Sequence, residues 1–374
     1  MKIGFFGDLV LDDSLKIEDI IEKNIRENDF NCLNLEAPFI TEEHIPIKKS
    51  INLYHKTEDL RLMKDNKFTL VNMANNHVFD FGVKGFEYTK YILDKNEIKY
   101  FGAGENLKEA GKPYIFELNG RKAAIFGFAW DFTDAINTYG DGFGTSPVDL
   151  DIIRNILSPF RDYDYKIAYF HFGTEYEYLP EPYQKYMIDT LFDEDLLDIV
   201  IGTHPHSYHG YNEKFINGKK KIVFYSLGNF ILPEIEFLDK RVKYKEEYHL
   251  CYYANIDFDN DLSFEIVPYK LINNSTEIRM LFKEELEEFN KHIKEISEPL
   301  KLKYKEYRKY YIKNRKRKFR PLICENKIIN KAKQKTYEIL HVTRVYIYMK
   351  MLAFTKFLGI YEKLKVLKNK YFNI

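Results

Sequence analysis

Short apolar runs that stop on a polar residue recur along the chain, with helical stretches between them. Residues 3–6 read as a strand ending at Gly7-Asp8, residues 32–35 as one ending at Glu36, and residues 68–74 as one ending at Asn75-Asn76-His77. Residues 166–170 run into His171, and the β-branched run Ile199-Val200-Ile201 passes through Gly202 into His204-Pro205-His206. A further strand at 221–225 leads to Ser226 and Asn229. Helices are predicted at 17–26, 80–96, 149–160 and 183–195. Asn119-Gly120 and Asn217-Gly218 read as hairpin turns, because both central positions of a type I′ turn need positive φ. Residues 248–258 and 262–269 form a predicted closing hairpin. Strands alternating with helices, with hairpins added, predict an α/β domain built on mixed sheets. Its polar residues lie at the carboxyl ends of strands, where open α/β sheets gather their sites. The glycine-bearing stretch 130–147 reads as a flexible loop covering that site.

This α/β domain is expected to occupy residues 1–271. An acidic helical connector follows at 272–298, then a basic helical tail at 299–374. The formal net charge is zero, but the tail holds 22 Lys and Arg against 4 Asp and Glu, leaving 35 against 53 in residues 1–298. Within the tail, 313–320 is a dense cationic run, and Phe354, Phe357, Leu358, Tyr361 and Leu364 share a helical face opposite Lys356, Lys363 and Lys370. The cationic run is most often a solvated face, and the pattern also suits the surface of an anionic membrane, a synthase complex or the acidic body of the chain itself. Nucleic acid ranks last, since no recognition motif accompanies the charge.

Three cysteines at no metal-like spacing argue against a disulfide framework and point to a reducing compartment. Neither a signal-peptide pattern at the start nor a run of about 20 apolar residues is visible. The expected location is therefore cytoplasmic, with the tail offering peripheral attachment at the inner face of the membrane. No Walker phosphate loop is present, which removes ATP-driven ligation.

Asp8, Glu36, Asn76, His171, His204 and His206 are ligand types suited to one or two divalent cations such as Mn²⁺, Zn²⁺ or Fe²⁺. Taken singly, Asp8 and Asn76 fit helix or turn caps equally well, and His171 fits a hydrogen-bonded core position. All six at strand ends favour a site. A carboxylate such as Glu36 can bridge two cations, which together hold a hydroxide and neutralise phosphoryl oxygens. His77, next to Asn76, is placed to protonate a leaving oxygen as general acid. Pro205 predicts extended geometry at His204, with both imidazoles on one side of the turn.

These motifs, Gly7-Asp8, Asn34-Leu35-Glu36, Ala74-Asn75-Asn76-His77 with Asp80 and Gly82, His171-Phe172-Gly173-Thr174-Glu175-Tyr176, Gly202-Thr203-His204-Pro205-His206 and Tyr225-Ser226-Leu227-Gly228-Asn229-Phe230, occur in that order. Together they resemble the bacterial capsule-synthesis CapA family, also called the poly-γ-glutamate capsule family. That family looks like a branch of the calcineurin-like metallophosphoesterases. The resemblance implies a metallophosphoesterase-like sandwich of two mixed β-sheets flanked by helices, here with the basic helical extension added. It implies Asp8, Glu36, Asn76, His171, His204 and His206 as metal ligands and His77 as the acid. Val10 stands where typical metallophosphoesterases carry a histidine, so one metal position has a ligand fewer. His209 stands where the family usually has glutamine, and adding a ligand, contacting substrate or facing water are all open to it. Substrate contact is slightly favoured. Glu175 and Asn229 join His209 as candidate substrate contacts, Glu175 alternatively as a partner to a ligand, and Ser226 as a loop stabiliser. The implied function is a metal-dependent phosphoesterase-like hydrolase acting on a phosphorylated or polymeric substrate in capsule or cell-surface polymer synthesis. The alternative is a non-catalytic assembly or export factor for a membrane-bound synthase.

Overall fold

In a computed structural model, which describes residues 1–315 apart from 50, 234–235, 238–239, 242–247 and 260–261, each apolar run becomes a strand. The chain order is β1 Lys2–Leu9, α1 Asp19–Arg26, β2 Phe30–Leu35, β3 Phe68–Asn72, α2 Gly82–Lys95, β4 Lys99–Phe101, β5 Tyr114–Leu118 and β6 Arg121–Ala129. It continues with α3 Leu150–Leu157, β7 Tyr165–His171, α4 Pro182–Asp193, β8 Ile199–Thr203, β9 Tyr211–Ile216, β10 Lys219–Phe224 and β11 Asn229–Ile231. The last described elements are β12 Leu250–Asp257, β13 Ser263–Ile272, β14 Glu277–Met280, α5 Lys283–Ser297 and α6 Tyr304–Asn314.

Two mixed sheets result. One runs β14-β13-β12-β1-β2-β3-β4, with β11 also beside β1 and Lys16–Ile17 beside β14. The other runs β9-β10-β8-β7-β6-β5, parallel in its middle and antiparallel at both edges. Both predicted Asn-Gly turns form, with positive φ at Asn119, Gly120, Asn217 and Gly218.

The sheets bury a shared apolar layer, with Ile3, Phe5, Cys32 and Leu70 on one side facing Ile125, Ile167, Tyr169 and Ile201 on the other. Tyr169 ties them together: its hydroxyl donates to the Cys32 carbonyl at 2.8 Å and accepts from the Phe6 amide at 3.3 Å. A second core forms where α1 and α2 lay Ile21, Ile25, Phe86 and Leu93 against the outer face of the first sheet. In α1 the buried residues Ile21 and Ile25 fall four apart, with acidic residues in the first turn and basic ones in the last, as the helix dipole favours.

Two expectations need correction. The body does not stop at 271: β14 pairs with β13, Tyr269 facing Met280 and Leu271 facing Ile278. The supposed connector α5 buries Phe289, Ile293 and Ile296 in the core between the sheets. From the first part of the supposed tail, α6 adds Tyr307 and Tyr311, and the Tyr307 hydroxyl donates to the Pro180 carbonyl at 2.6 Å. The acidic and basic composition belongs to the exposed faces of these helices, while the buried face carries an ordinary apolar period. Residues 316–374, with the amphipathic pattern expected there, lie outside the described residues.

The stretch 130–147 is also more regular than its glycines suggest. Asp141–Thr145 pairs antiparallel with Ala103–Asn106. A Cβ on Gly144 would stand 2.4 Å from the Thr138 amide nitrogen, so this glycine serves close packing and not mobility.

Candidate metal centre

The register of the first sheet lines up polar residues across adjacent strands. Asp8 on β1 faces Asn34 on β2 and Asn229 on β11, and Asn34 faces Asn72 on β3. Their amides form a chain: Asn72 Nδ2 donates to Asn34 Oδ1 at 2.8 Å, and Asn34 Nδ2 donates to Asp8 Oδ1 at 2.7 Å. The Asn75 amide donates to the Leu35 carbonyl at 2.8 Å, fixing the turn that carries Asn76 to the residue preceding Glu36. β1 bends between Phe5 and Asp8, where a Cβ on Gly7 would stand 1.8 Å from the Gly228 carbonyl oxygen. Only glycine allows β11 to approach this closely and bring Asn229 alongside Asp8.

The second sheet supplies the histidines. His171 is the last residue of β7, paired with Thr203 on β8, whose hydroxyl lies 3.1 Å from its Nδ1. His204 does not take the extended geometry expected before Pro205: its φ is +94°, and that of His206 is +53°. Histidine enters this region at a cost of about 1–3 kcal/mol. The turn holds them there through the His204 amide, which donates to Asp8 Oδ2 at 3.2 Å, and the Pro205 carbonyl, which accepts from the Tyr176 amide at 2.7 Å.

All six expected ligands converge, four of them brought together around His171 and Glu36. His171 Nε2 lies 2.8 Å from Asn76 Oδ1, 3.2 Å from His204 Nδ1 and 3.4 Å from Glu36 Oε1. His206 Nδ1 lies 3.6 Å from Asp8 Oδ2, and its Nε2 lies 3.9 Å from Glu36 Oε1. The ligand atoms fall into two triads within 4.8 Å, Glu36/His171/His204 and Asp8/Glu36/His206, which share Glu36.

The electrostatics fit cations between these groups. Both Glu36 oxygens are buried and accept no hydrogen bond. Burial first, then the facing Asp8 carboxylate and Glu175, push the Glu36 carboxyl well above its usual range. Asp8 is also raised by burial, against the opposing pull of His206. His171 and His204 are held neutral by burial and by the neighbouring imidazoles, which leaves lone pairs for coordination. A buried, unpaired carboxylate beside another is costly unless a cation compensates it.

His77 sits beside the cluster with Nδ1 2.6 Å from Asp80 Oδ2. The Leu53 amide donates to the same Asp80 oxygen at 2.7 Å, and Lys49 Nζ lies 3.0 Å from the other. Burial, with Lys49 second, lowers the His77 pKa in spite of Asp80. Lys49 was not singled out in the sequence: it comes from a stretch without regular structure, where no periodicity marks it.

The candidate substrate contacts separate. Asn229 Oδ1 is 2.8 Å from His206 Nδ1, so this side chain orients an expected ligand. Glu175 is exposed, near enough for its charge to act on Glu36. His209 is fully buried with Nε2 on the Glu177 carbonyl at 2.8 Å, and burial lowers it to about 4. That placement gives it a structural role in place of the expected substrate contact. The Ser226 hydroxyl donates to the Ser207 carbonyl at 2.8 Å and accepts from the Gly228 amide, stabilising its loop. Val10 packs with Ala37, Leu53, Tyr176, Leu232 and Tyr248 in a small apolar cluster.

A family model described as bacterial capsule synthesis protein PGA_cap matches residues 5–234. The capsule biosynthesis protein CapA of Bacillus anthracis is 29% identical over 218 residues, covering 56% of this chain and 52% of that protein. The PGA biosynthesis protein CapA of Bacillus subtilis (strain 168) is 30% identical over 224 residues, covering 57% and 56%. The chain thus matches only about half the length of these relatives. Among solved structures, the calcineurin-like phosphoesterase YfkN from Bacillus subtilis aligns with a TM-score of 0.42 at 11% identity, covering 79% of this chain and 96% of that one.

Proposed function

The chain belongs to the bacterial capsule synthesis PGA_cap family, and from that premise we propose that it is a metal-dependent hydrolase of phosphoesterase type serving capsule or other cell-surface polymer synthesis. The observation that carries the reading is Glu36, a buried carboxylate with both oxygens unbonded and shared by two ligand triads. Asp8, Glu36, Asn76, His171, His204 and His206 would hold Mn²⁺, Zn²⁺ or Fe²⁺. When bound, such cations supply an activated water and neutralise charge on phosphoryl oxygens.

The chain's own residues provide the remainder. The Asn34 amide and the His204 backbone fix the Asp8 carboxylate, and Thr203 and Asn229 orient His171 and His206. Asp80 accepts a hydrogen bond from His77 Nδ1–H and leaves Nε2 as the nitrogen available to substrate. Burial and Lys49 keep this ring neutral in the resting site. An arriving anion adds to the pull of Asp80 and favours the protonated ring, the form that donates to a leaving oxygen.

The test is elemental analysis of the full chain alongside turnover on aryl and alkyl phosphates. The double variant His204→Ala, His206→Ala should remain folded and lose its metal. His77→Ala should keep the metal and lose about 10²- to 10⁴-fold in turnover on the alkyl ester, and less on the aryl ester, whose leaving group needs little protonation. Unchanged metal content in the double variant would sink the site. A metal-bearing chain that turns over neither ester would favour the assembly-factor alternative.

Attachment to an anionic membrane through the basic end of the chain is proposed alongside. It is supported by the exposed Lys305, Arg308, Lys309 and Lys313 on α6 and by the cationic sequence that follows. Among the described residues, no helix is long and apolar enough to cross a membrane.

A further inference from the structure

Lys49 makes three approaches at one point. Its ammonium lies 2.6 Å from the Asn76 carbonyl oxygen, 3.0 Å from Asp80 Oδ1 and 3.5 Å from His77 Nδ1. Its side chain is 12% exposed, and the Asp80 carboxylate it meets is fully buried. The Asn76 carbonyl belongs to the peptide bond linking an expected ligand to the expected acid, so a cation on that oxygen restrains both residues together. Asp80 divides its two oxygens between partners: Oδ1 meets Lys49, while Oδ2 takes His77 Nδ1 and the Leu53 amide. Asn52 completes the arrangement by donating to the Asp80 carbonyl at 3.1 Å. Three residues within 49–53 thus hold the turn that carries Asn76, His77 and Asp80.

Among the described residues, other ionisable groups whose charge bears on this pocket include Asp8, Glu36, Glu175, His171, His204 and His206. Lys49 is, among the described residues, the lysine whose charge acts on Glu36, His77, His171 and His204 alike.

From this geometry we infer that Lys49 is a positioning residue of the site: it clamps the Asn76–His77 peptide and the Asp80 carboxylate, and so fixes the orientation in which His77 meets a leaving oxygen. The inference rests on the hydrolase reading for its kinetic consequence, but its structural consequence can be read without turnover. Removing the ammonium leaves the buried Asp80 carboxylate with His77 as its remaining ionisable partner. The Asp80 carboxylate then loses its restraint at Oδ1, and the Asn76 carbonyl loses its ammonium donor.

The experiment uses full-length chains carrying Lys49→Gln or Lys49→Met, either of which suffices if the other does not fold. Metal per chain is measured first and should equal that of the parent. Nitrogen NMR of histidine-labelled, chelator-treated protein should then show the backbone amide signal of His77, whose preceding carbonyl Lys49 holds, displaced, while that of His209, remote from Lys49 in bonding, stays in place. With a simple alkyl phosphate, kcat should fall about 10- to 100-fold, the range for residues that orient a site from outside, and KM should change less than about twofold. Nitrophenyl phosphate, with its good leaving group, should lose less. Unmoved His77 signals would overturn the inference, as would an equal loss on both esters. A parent protein that hydrolyses neither ester would instead refute the hydrolase reading, and the His77 signals would still decide the place of Lys49.

Discussion

Glu36 shows how function and stability oppose each other in a single side chain. Its carboxylate is buried, accepts no hydrogen bond and faces Asp8, an arrangement that destabilises the metal-free fold. Glu36→Gln keeps the shape and removes the charge. We expect the chelator-treated variant to be more stable than the chelator-treated parent in denaturant unfolding, because the neutral amide relieves the repulsion with the Asp8 carboxylate. The same variant should fail to regain stability when Mn²⁺ or Zn²⁺ is returned, whereas the parent should recover by mass action. A variant less stable than the parent in the absence of metal would show that Glu36 has a structural partner. At this scale much of the site was legible. Asp8, Glu36, Asn76 and the three histidines were each marked by an apolar run stopping abruptly. Lys49 was not, because an irregular backbone gives side-chain direction no period. Asn34 and Asn72 lie inside strands, where asparagine is depleted, and that depletion was the available signal for the amide chain they form with Asp8.

At the scale of elements, the attachment of α5 turns on Glu285. Its carboxylate meets Arg279 at 2.7 and 2.8 Å, Lys270 at 3.0 Å and the Phe282 amide at 3.0 Å, joining the helix to β13 and β14. Arg279 is the leading cause of a pKa lowered to about 2. The folded chain therefore binds this proton more weakly than the unfolded chain does. The resulting stabilisation is complete above the ordinary value of 4.5 and disappears as pH falls to about 2. Since the group is partly solvated, Glu285→Gln should cost about 1 kcal/mol at neutral pH. The gap between parent and variant should close between those two pH values in urea titrations, and a gap independent of pH would assign the effect to packing. Element types followed from periodicity and turn chemistry, as the two Asn-Gly hairpins illustrate. What composition concealed was docking: α5 presents acid to solvent while Phe289, Ile293 and Ile296 enter the core, and charge counts register only the exposed side.

For the whole molecule, the end of the folded body is the testable quantity. A chain ending before residue 299 loses Leu300, Tyr307 and Tyr311 from the core, each worth about 1.5–3 kcal/mol of burial. That loss is comparable with the 5–15 kcal/mol by which domains are usually stable. Truncation to residues 1–298 should therefore lower the melting temperature sharply relative to 1–315, or abolish folding. Equal melting of both fragments would place the end of the body before residue 299. The 1–315 fragment also serves the membrane proposal: the full chain should sediment with anionic vesicles more than the fragment does, and less at high salt as the Debye length shortens.

The Tyr169 hydroxyl, which bonds the Cys32 carbonyl and the Phe6 amide across the sandwich, lies two residues from His171 in one sheet, and Phe6 lies two residues from Asp8 in the other. The ligands therefore sit on opposite jaws of a caliper whose pin is one phenol oxygen in dry protein. Any slippage between the sheets changes the opening of the jaws before it changes the fold, so the spacing offered to cations is set by the alignment of two hydrophobic faces. Substitutions deep in the shared core, out of reach of solvent and substrate, would then register as changes in metal affinity.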